Sequence, residues 1–289
     1  MKNNSKCFFC KKKTDKNIKV YNFSNYIVNS CFEECYNCKT LQRKSKKIKA
    51  IYGNLNNNIN YNIKNIFFFL KIFVFFFFII RIWKFVNNKR KNNNFIILDY
   101  GCGSGELINA LSIFVKSRFY AADIFLKKPD LIFNDIKYVN DKKILSKQFK
   151  NKFDVIILRH VLEHIMHPNE FLKKIAYILK KKGTLIIEVP DYYNSFWVKV
   201  FKKRWPGFFF PYHTFLYSKE FLANLLINHN FKICKTIKAE PPILGSFLIT
   251  LKLPRFFSKL FSILFFPLQF FISKFFLSSE AMIFIANKK

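Results

Sequence analysis

The sequence predicts an α/β fold, a mostly parallel sheet flanked by helices, with a small cysteine-bearing module ahead of it. Three observations carry this. Apolar strand-like runs alternate with helical stretches from residue 95 onward, the order that builds a parallel sheet with crossover helices. The string FIILDYGCGSGELINAL ends an apolar strand in a glycine loop and then opens a helix. Four of the seven cysteines form two CxxC pairs near the N-terminus.

A chain of 289 residues, 51% of them hydrophobic, holds one α/β domain of about 200 residues and an appendage. The net charge of +33 invites a polyanion partner. The excess is mostly Lys, spread along the chain and accompanied by abundant Asn, Ile and Phe, the residues AT-rich codons favour. The charge therefore reads as genome composition, and nucleic acid is not the expected partner. It still suits adhesion to an anionic membrane surface. Met1 to Lys6 is polar and no apolar signal region follows, so a cytoplasmic setting is expected, with peripheral contact at the inner face of the membrane. In that reducing setting CxxC pairs read as metal ligands before disulfides.

The chain divides into a cysteine module over 1–45, a linker with an apolar helix over 46–94, and the main domain over 95–289. Residues 66–86 are strongly apolar, but Lys71 and Arg81 interrupt them. They read as an amphipathic helix against the sheet or a membrane surface, with a membrane span as the alternative. Polar stretches 53–65 and 87–94 flank them. Strands are predicted at Phe95–Asp99, Phe119–Ala122, Leu131–Phe133, Phe153–Leu158, Thr184–Val189, Phe231–Ile237 and Ala281–Ala286. Helices are predicted at Glu106–Lys116, Pro168–Lys180, closed by Gly183, and Lys219–His229. An apolar insertion, 241–280, is punctuated by basic residues and broken by Pro267.

Gly101, Gly103 and Gly105 let the backbone turn sharply and approach a ligand closely. A dinucleotide fingerprint would place its third glycine at 106, which is Glu106, and no GK[ST] follows to cradle phosphate. The pattern is DxGxGxG. Its acid, Asp99, suits a ligand without phosphate that carries an ammonium and a sulfonium, namely S-adenosylmethionine. Cys102 sits in this loop as a small side chain. Asp123 ends the next strand, where a carboxylate accepts from a ribose diol. Asp135, after the third predicted strand, is placed to accept from an adenine amino group or to sit on the surface.

Residues 95–237 resemble class I methyltransferases. They resemble particularly the branch that includes ubiquinone-biosynthesis O-methyltransferases and those of polysaccharide gene clusters. The resemblance rests on LDYGCGSGE, on FDVIILRHVLEHIMHPNEFLKKIAYILKKKGTLIIEVP and on FPYHTFLYSKEFLANLLINHNFKI. It implies a Rossmann-like seven-stranded sheet with a reversed last strand. It also implies cofactor contacts at Asp99, Gly101, Gly103, Asp123 and Arg159–His160. The N-terminus resembles the zinc ribbon of many members of this branch. Two knuckles supply four thiolates to a structural Zn²⁺, and Cys7, Cys10, Cys35 and Cys38 are the expected ligands, with Cys31 able to replace Cys35. The usual knuckle Gly and Pro are missing.

Methyl transfer mainly demands alignment, and a base helps when a hydroxyl is the nucleophile. His213, in FPYHTF, falls where family members build the substrate side and is the candidate base or acceptor ligand. His160, Glu163 and His164 form HxxEH, which on a long helix would suggest a zinc peptidase. Some resembling quinone methyltransferases use an acidic residue and a His of this segment as a divalent-metal site; Glu163 and His164 are retained here, but His160 stands where that motif has an acid. The resulting reading is an enzyme that methylates a small-molecule, sugar, quinol or lipid-linked acceptor, at oxygen. The rivals are an RNA methyltransferase and a non-catalytic zinc-ribbon binding protein with a vestigial domain.

Overall fold

The computed structural model describes residues 5–20, 32–44, 78–82, 95–124, 128–129, 131–209, 212–241, 243–244, 247–248, 251, 261 and 264–289. Residues 53–65 and 87–94, Cys31 and most of 66–86 lie outside the described residues; 78–82 are helical. The chain forms two compact units, each assembled from separate segments: 1–65, 190–221 and 238–281, and 66–189, 222–237 and 282–289. These boundaries are not the sequence cuts at 45 and 95.

In the first unit, β1 (Lys16–Ile18), β2 (Phe32–Cys35) and β3 (Thr40–Arg43) form an antiparallel meander. A later strand, β9 (Phe215–Tyr217), pairs antiparallel with β3, with Leu41 opposite Leu216. Phe32, Leu41 and Leu216 share a core with Trp197, Trp205 and Phe208. Phe9, from the first cysteine knuckle, packs on Phe215 and Phe221, with ring centroids 4.9 and 4.6 Å away. The cysteine module is thus stitched into a sheet and a core, where the sequence suggested a separate appendage.

The second unit holds the seven-stranded sheet. Its strands are β4 (Ile96–Tyr100), β5 (Arg118–Asp123), β6 (Lys137–Asn140), β7 (Phe153–Arg159), β8 (Leu179–Pro190), β10 (Phe231–Ala239) and β11 (Ala281–Lys288). Their order is β10-β11-β8-β7-β4-β5-β6. Strand β4 is central, fully buried and parallel to both β5 and β7. The chain runs outward through β5 and β6, then returns to the other side of β4 for β7 and β8. That reversal makes a topological switch point between β4 and β7, and open α/β sheets bind ligands outside the carboxyl ends of the strands at such a point.

Helix α1 (Glu106–Phe114) follows the glycine loop, and α2 (Asp141–Ile144) follows β6. Helix α3 (Pro168–Ile178) precedes β8 and α5 (Lys219–Ile227) precedes β10, while α4 (Phe196–Phe201) and α6 (Phe266–Phe275) belong to the first unit. Proline opens α3, where its missing N–H costs nothing.

Two expectations are corrected. Leu131–Phe133 is a turn, and the third strand lies six residues later at Lys137–Asn140. The buried side chain of Asn109 takes the backbone of that turn, donating to the Leu131 carbonyl at 2.6 Å and accepting from Phe133 N at 3.1 Å. A backbone satisfied by an amide has no need of a ladder. Gly183 lies inside β8, and the left-handed residue there is Lys182, so the helix ends at Ile178 with no glycine cap. The apolar run is interrupted where Pro267 predicts a break: residue 264 is helical, Phe265 is a turn, and α6 starts at Phe266 with the proline in its first turn, where it is tolerated. Among the described residues no helix is long and apolar enough to cross a membrane.

Candidate cofactor and metal sites

The glycine loop leaves β4 after Tyr100. Gly101 (φ +79°) and Gly105 (φ +90°) occupy left-handed backbone, as does Gly103 (φ +54°). A β-carbon on Gly101 would lie 2.3 Å from Val161 Cγ2, and one on Gly105 would lie 2.4 Å from Ile132 Cγ1. Those two glycines wedge the loop against its neighbours. Gly103 differs: a β-carbon there meets no protein atom within 4 Å. The loop is therefore tight at both ends and open in the middle, a cradle for a ligand that approaches backbone.

Two carboxylates border the cradle. Asp123 accepts from Gly103 N at 2.7 Å through Oδ2 and from Ile124 N at 2.7 Å through Oδ1. Burial raises its carboxyl above the usual range, and the two N–H donors oppose this. Asp99 is buried, and burial pushes it up to about 7, with Arg159 pulling it down and Asp123 and Glu106 pushing it further up. Cys102 is buried beside them and its thiol is raised strongly, the behaviour of an inert loop side chain.

The end of β7 adds a charged network. Arg159 Nε lies 2.7 Å from Glu188 Oε2 on β8, and Arg159 also covers the Phe78 ring at 5.7 Å. His160 sits at φ +52°, left-handed backbone that costs a residue other than glycine some strain. It is held there by its N–H to the Glu188 carbonyl at 2.9 Å and by its Nδ1, 3.2 Å from Glu163 Oε1. Leu162–His164 is a single 3-10 turn, so HxxEH lacks the long helix a peptidase needs. Asp135 lies on an exposed turn ahead of β6, not after a strand.

Sequence reasoning missed Glu188, Asn109 and Asp141. A glutamate inside the apolar run TLIIEVP was the available signal for the first, because a buried charge must be paired. Asp141 opens α2 directly after β6, and its charge is felt at Asp123 and Tyr100. Asp154, at the start of β7, pairs with Lys180, whose Nζ lies 2.8 Å away, and also accepts from Ile96 N at 2.9 Å.

In the other unit, His213 is buried just ahead of β9, its Nδ1 2.8 Å from the Gly207 carbonyl. A carbonyl only accepts, so Nδ1 carries the proton and Nε2 is the basic nitrogen of the neutral ring. Trp197, Trp205 and Tyr217 are buried packing residues.

Cys7, Cys10, Cys35 and Cys38 place their sulfurs within 4.8 Å of one another. Cys10 and Cys35 are 3.6 Å apart and Cys7 and Cys38 are 3.9 Å apart, without disulfides. Tetrahedral Zn–S bonds of about 2.3 Å separate sulfurs by about 3.8 Å, so the cluster fits Zn²⁺. Burial pushes the Cys35 thiol up to about 11 and raises Cys38 as well. At Cys10 the same burial is outweighed by the Lys12 backbone N–H and the neighbouring thiols, and the pKa falls to about 7. Gln42 braces the first knuckle, accepting from Phe8 N at 2.7 Å and donating to the Lys6 carbonyl at 3.0 Å.

Each knuckle is followed by a lysine in left-handed backbone, Lys11 (φ 60°) and Lys39 (φ 49°). These are positions a glycine fills without strain, and lysine there costs about 1–2 kcal/mol. Lys39→Gly should therefore raise stability by about 0.5–1 kcal/mol after its own entropy loss, read as a higher denaturant midpoint at unchanged slope.

The sequence profile of a family described as a methyltransferase domain matches residues 78–236, and the chain belongs to that family. Fold and glycine loop together are those of the class I, S-adenosylmethionine-dependent methyltransferases. Among characterised proteins, the chain is 29% identical over 120 residues to a tRNA U34 carboxymethyltransferase of Helicobacter pylori, strain P12. It is 28% identical to the protein of the same name from Helicobacter acinonychis. Each match covers 37% of this chain and 44% of the relative, so the chain spans less than half the length of these relatives. Among solved structures, an Archaeoglobus fulgidus S-adenosylmethionine-dependent methyltransferase superposes with a TM-score of 0.49 at 16% identity, over 74% of this chain and 94% of that one. A Bacillus halodurans methyltransferase gives 0.49 at 16% identity, over 72% and 98%.

Proposed function

We propose that this protein transfers a methyl group from S-adenosylmethionine to a hydroxyl oxygen of a small-molecule, sugar, quinol or lipid-linked acceptor. The observation that carries the reading is the cradle at Gly103, bordered by Asp99 and Asp123. When bound, S-adenosylmethionine supplies an electrophilic methyl on a sulfonium. The residues of this chain then have separable tasks. Asp99 faces the cationic ammonium, Asp123 accepts from the ribose diol, and Gly101, Cys102, Gly103 and Gly105 give backbone contact. Arg159 and His160 close the site at the end of β7, and Asp141 is better placed after a third strand than Asp135 to meet the adenine side. His213 Nε2 is the base that takes the acceptor's proton. Zn²⁺ on Cys7, Cys10, Cys35 and Cys38 has a structural role.

A second reading is RNA methylation. It is favoured by the tRNA-acting names of the relatives and by the +33 charge. Turnover of labelled S-adenosylmethionine should be compared across a quinol, a polyprenyl-linked glycan and bulk tRNA. Label transfer to the quinol or glycan supports the first reading, and transfer to tRNA alone replaces it with the second.

Asp99 gives a pH prediction. Its folded pKa, about 7, lies above its ordinary value of 3.8, so the folded protein holds a proton the unfolded chain releases. Stability from this site is highest below pH 4 and declines as pH rises towards 7. A cationic ligand reverses the preference by favouring the carboxylate. S-adenosylhomocysteine should therefore bind more weakly as pH drops below 7, by up to about tenfold per unit, and release protons on binding. Calorimetry at pH 7 in buffers of different ionisation enthalpy checks this; buffer-independent heats would remove Asp99 from the ammonium contact.

A further inference from the structure

Helix α6 is built inside out. Gln269 and Ser273 are its buried residues, both 0% exposed, while Phe271 is 69% and Phe275 is 81% exposed. The inward face is pinned by specific bonds. Gln269 Oε1 accepts from Ile243 N at 2.9 Å and Leu244 N at 3.4 Å, and its Nε2 donates to the Pro241 carbonyl at 2.8 Å. Ser273 Oγ accepts from Trp197 Nε1 at 2.9 Å. Rolling the helix to hide its phenylalanines would break every one of these bonds inside the core. Its rotation is therefore fixed, and so is the outward stripe of Leu264, Leu268, Phe271 and Phe275, continued by Phe276 and Leu277. A contiguous exposed apolar patch of this kind marks an interaction surface.

Charge selects the occupant. The sequence contains no Asp or Glu between Asp191 and Glu220, nor between Glu240 and Glu280. The same stretches carry many cations. Phe276 stacks on Phe196 of α4 at 4.1 Å; Lys199 on α4 and Lys202 and Lys203 in the turn that follows it are exposed, and so is Lys274 on α6 itself. A second copy would meet this face with the same cations, so a two-fold contact would oppose like charges. An apolar stripe rimmed by lysine instead matches the boundary between acyl chains and anionic headgroups.

We propose that the outer face of α6 docks on an anionic lipid surface, with Phe271 and Phe275 entering the headgroup boundary and the lysines of α4 and α6 meeting the lipid charge. This deepens the reading of a lipid-linked acceptor and rests on it only for its setting, because docking is measured without methyl transfer.

The test uses the full chain and large unilamellar vesicles of phosphatidylcholine, with or without one quarter phosphatidylglycerol, in sedimentation at low and high salt. The parent should bind the anionic vesicles and release at high salt, since each cation near the leaflet contributes about fivefold and is screened. The double variant Phe271→Ser/Phe275→Ser should bind at least tenfold more weakly, while Ile227→Ser, an exposed apolar residue elsewhere, binds as the parent does. Retained S-adenosylhomocysteine binding certifies that the variants are folded. Unchanged vesicle binding by the double variant overturns the proposal, as does equal binding to neutral vesicles. A parent that ignores vesicles also overturns it, and light scattering then shows whether a second copy covers the face. If docking fails while label still passes to a lipid-linked acceptor, only the docking surface is withdrawn.

Discussion

Gly103→Val should weaken S-adenosylhomocysteine binding by about 100-fold while leaving a folded protein. The reason lies in the contrast between the three loop glycines. A side chain at Gly101 or Gly105 would strike Val161 or Ile132, so those changes attack folding itself. A β-carbon at Gly103 meets no protein atom within 4 Å, so a side chain there starts in open space at the middle of the loop. The folding penalty is then limited to left-handed strain, about 1–2 kcal/mol. Filling the cradle costs the ligand about 1–3 kcal/mol through overpacking, and 1.4 kcal/mol is tenfold in affinity, so the loss is on the order of 100-fold. Titration calorimetry together with thermal unfolding separates the two costs, and Gly101→Ala should show the opposite pattern, with stability lost first. Equal affinity for parent and Gly103→Val would sink the cofactor assignment.

Removing one thiolate should have the largest effect on stability. The parent should contain about one zinc per chain, and Cys35→Ser should lose it. Structural zinc carries about 10–16 kcal/mol of apparent binding energy in small domains, which is folding energy when the site forms only in the folded state. Cys35 is buried at the end of β2, opposite Thr40 on β3, and β3 in turn holds β9. The damage should therefore travel beyond the first 45 residues to the core around Trp197 and Trp205. A red shift in tryptophan emission that parallels zinc loss, measured during titration with a chelator, is the expected signature. A metal-free parent of full stability would rule the zinc site out.

What could be read from the sequence follows the range of the interaction. The glycine loop, Asp99, Asp123 and the two CxxC pairs are legible because each is a short local string of residue types at a strand end or knuckle, even though Asp123 meets Gly103 and the two knuckles meet each other only in the fold. Six of the seven predicted strands of the large sheet lie where apolar runs placed them. The third did not, because the apolar string LIF looks like a strand and nothing in it reports that Asn109, some two dozen residues earlier, captures its backbone. Glu188 was hidden for a related reason: its partner Arg159 sits on the neighbouring strand, beyond any sequence window. The pairing of β3 with β9 leaves no local trace at all. Leu41 and Leu216 are ordinary strand residues, and their register is set by the fold. The inverted face of α6 was equally invisible, since an apolar helix shows which residues are greasy but not which way they point.

The β3–β9 pairing also sets a timetable for the nascent chain. Leu41 leaves the ribosome roughly 175 residues ahead of Leu216, an interval of about 10–35 s at ordinary synthesis rates. Throughout that wait β3 is the open edge of a three-stranded meander, with unpaired N–H and C=O groups available to other chains. A metal captured by the four thiolates is local to this early segment, needing nothing synthesised after Cys38. Metal supply would thus act before any other contact to hold the meander in shape. Expression in zinc-starved cells should then yield aggregated chains even where later addition of zinc to purified, folded protein has little left to repair.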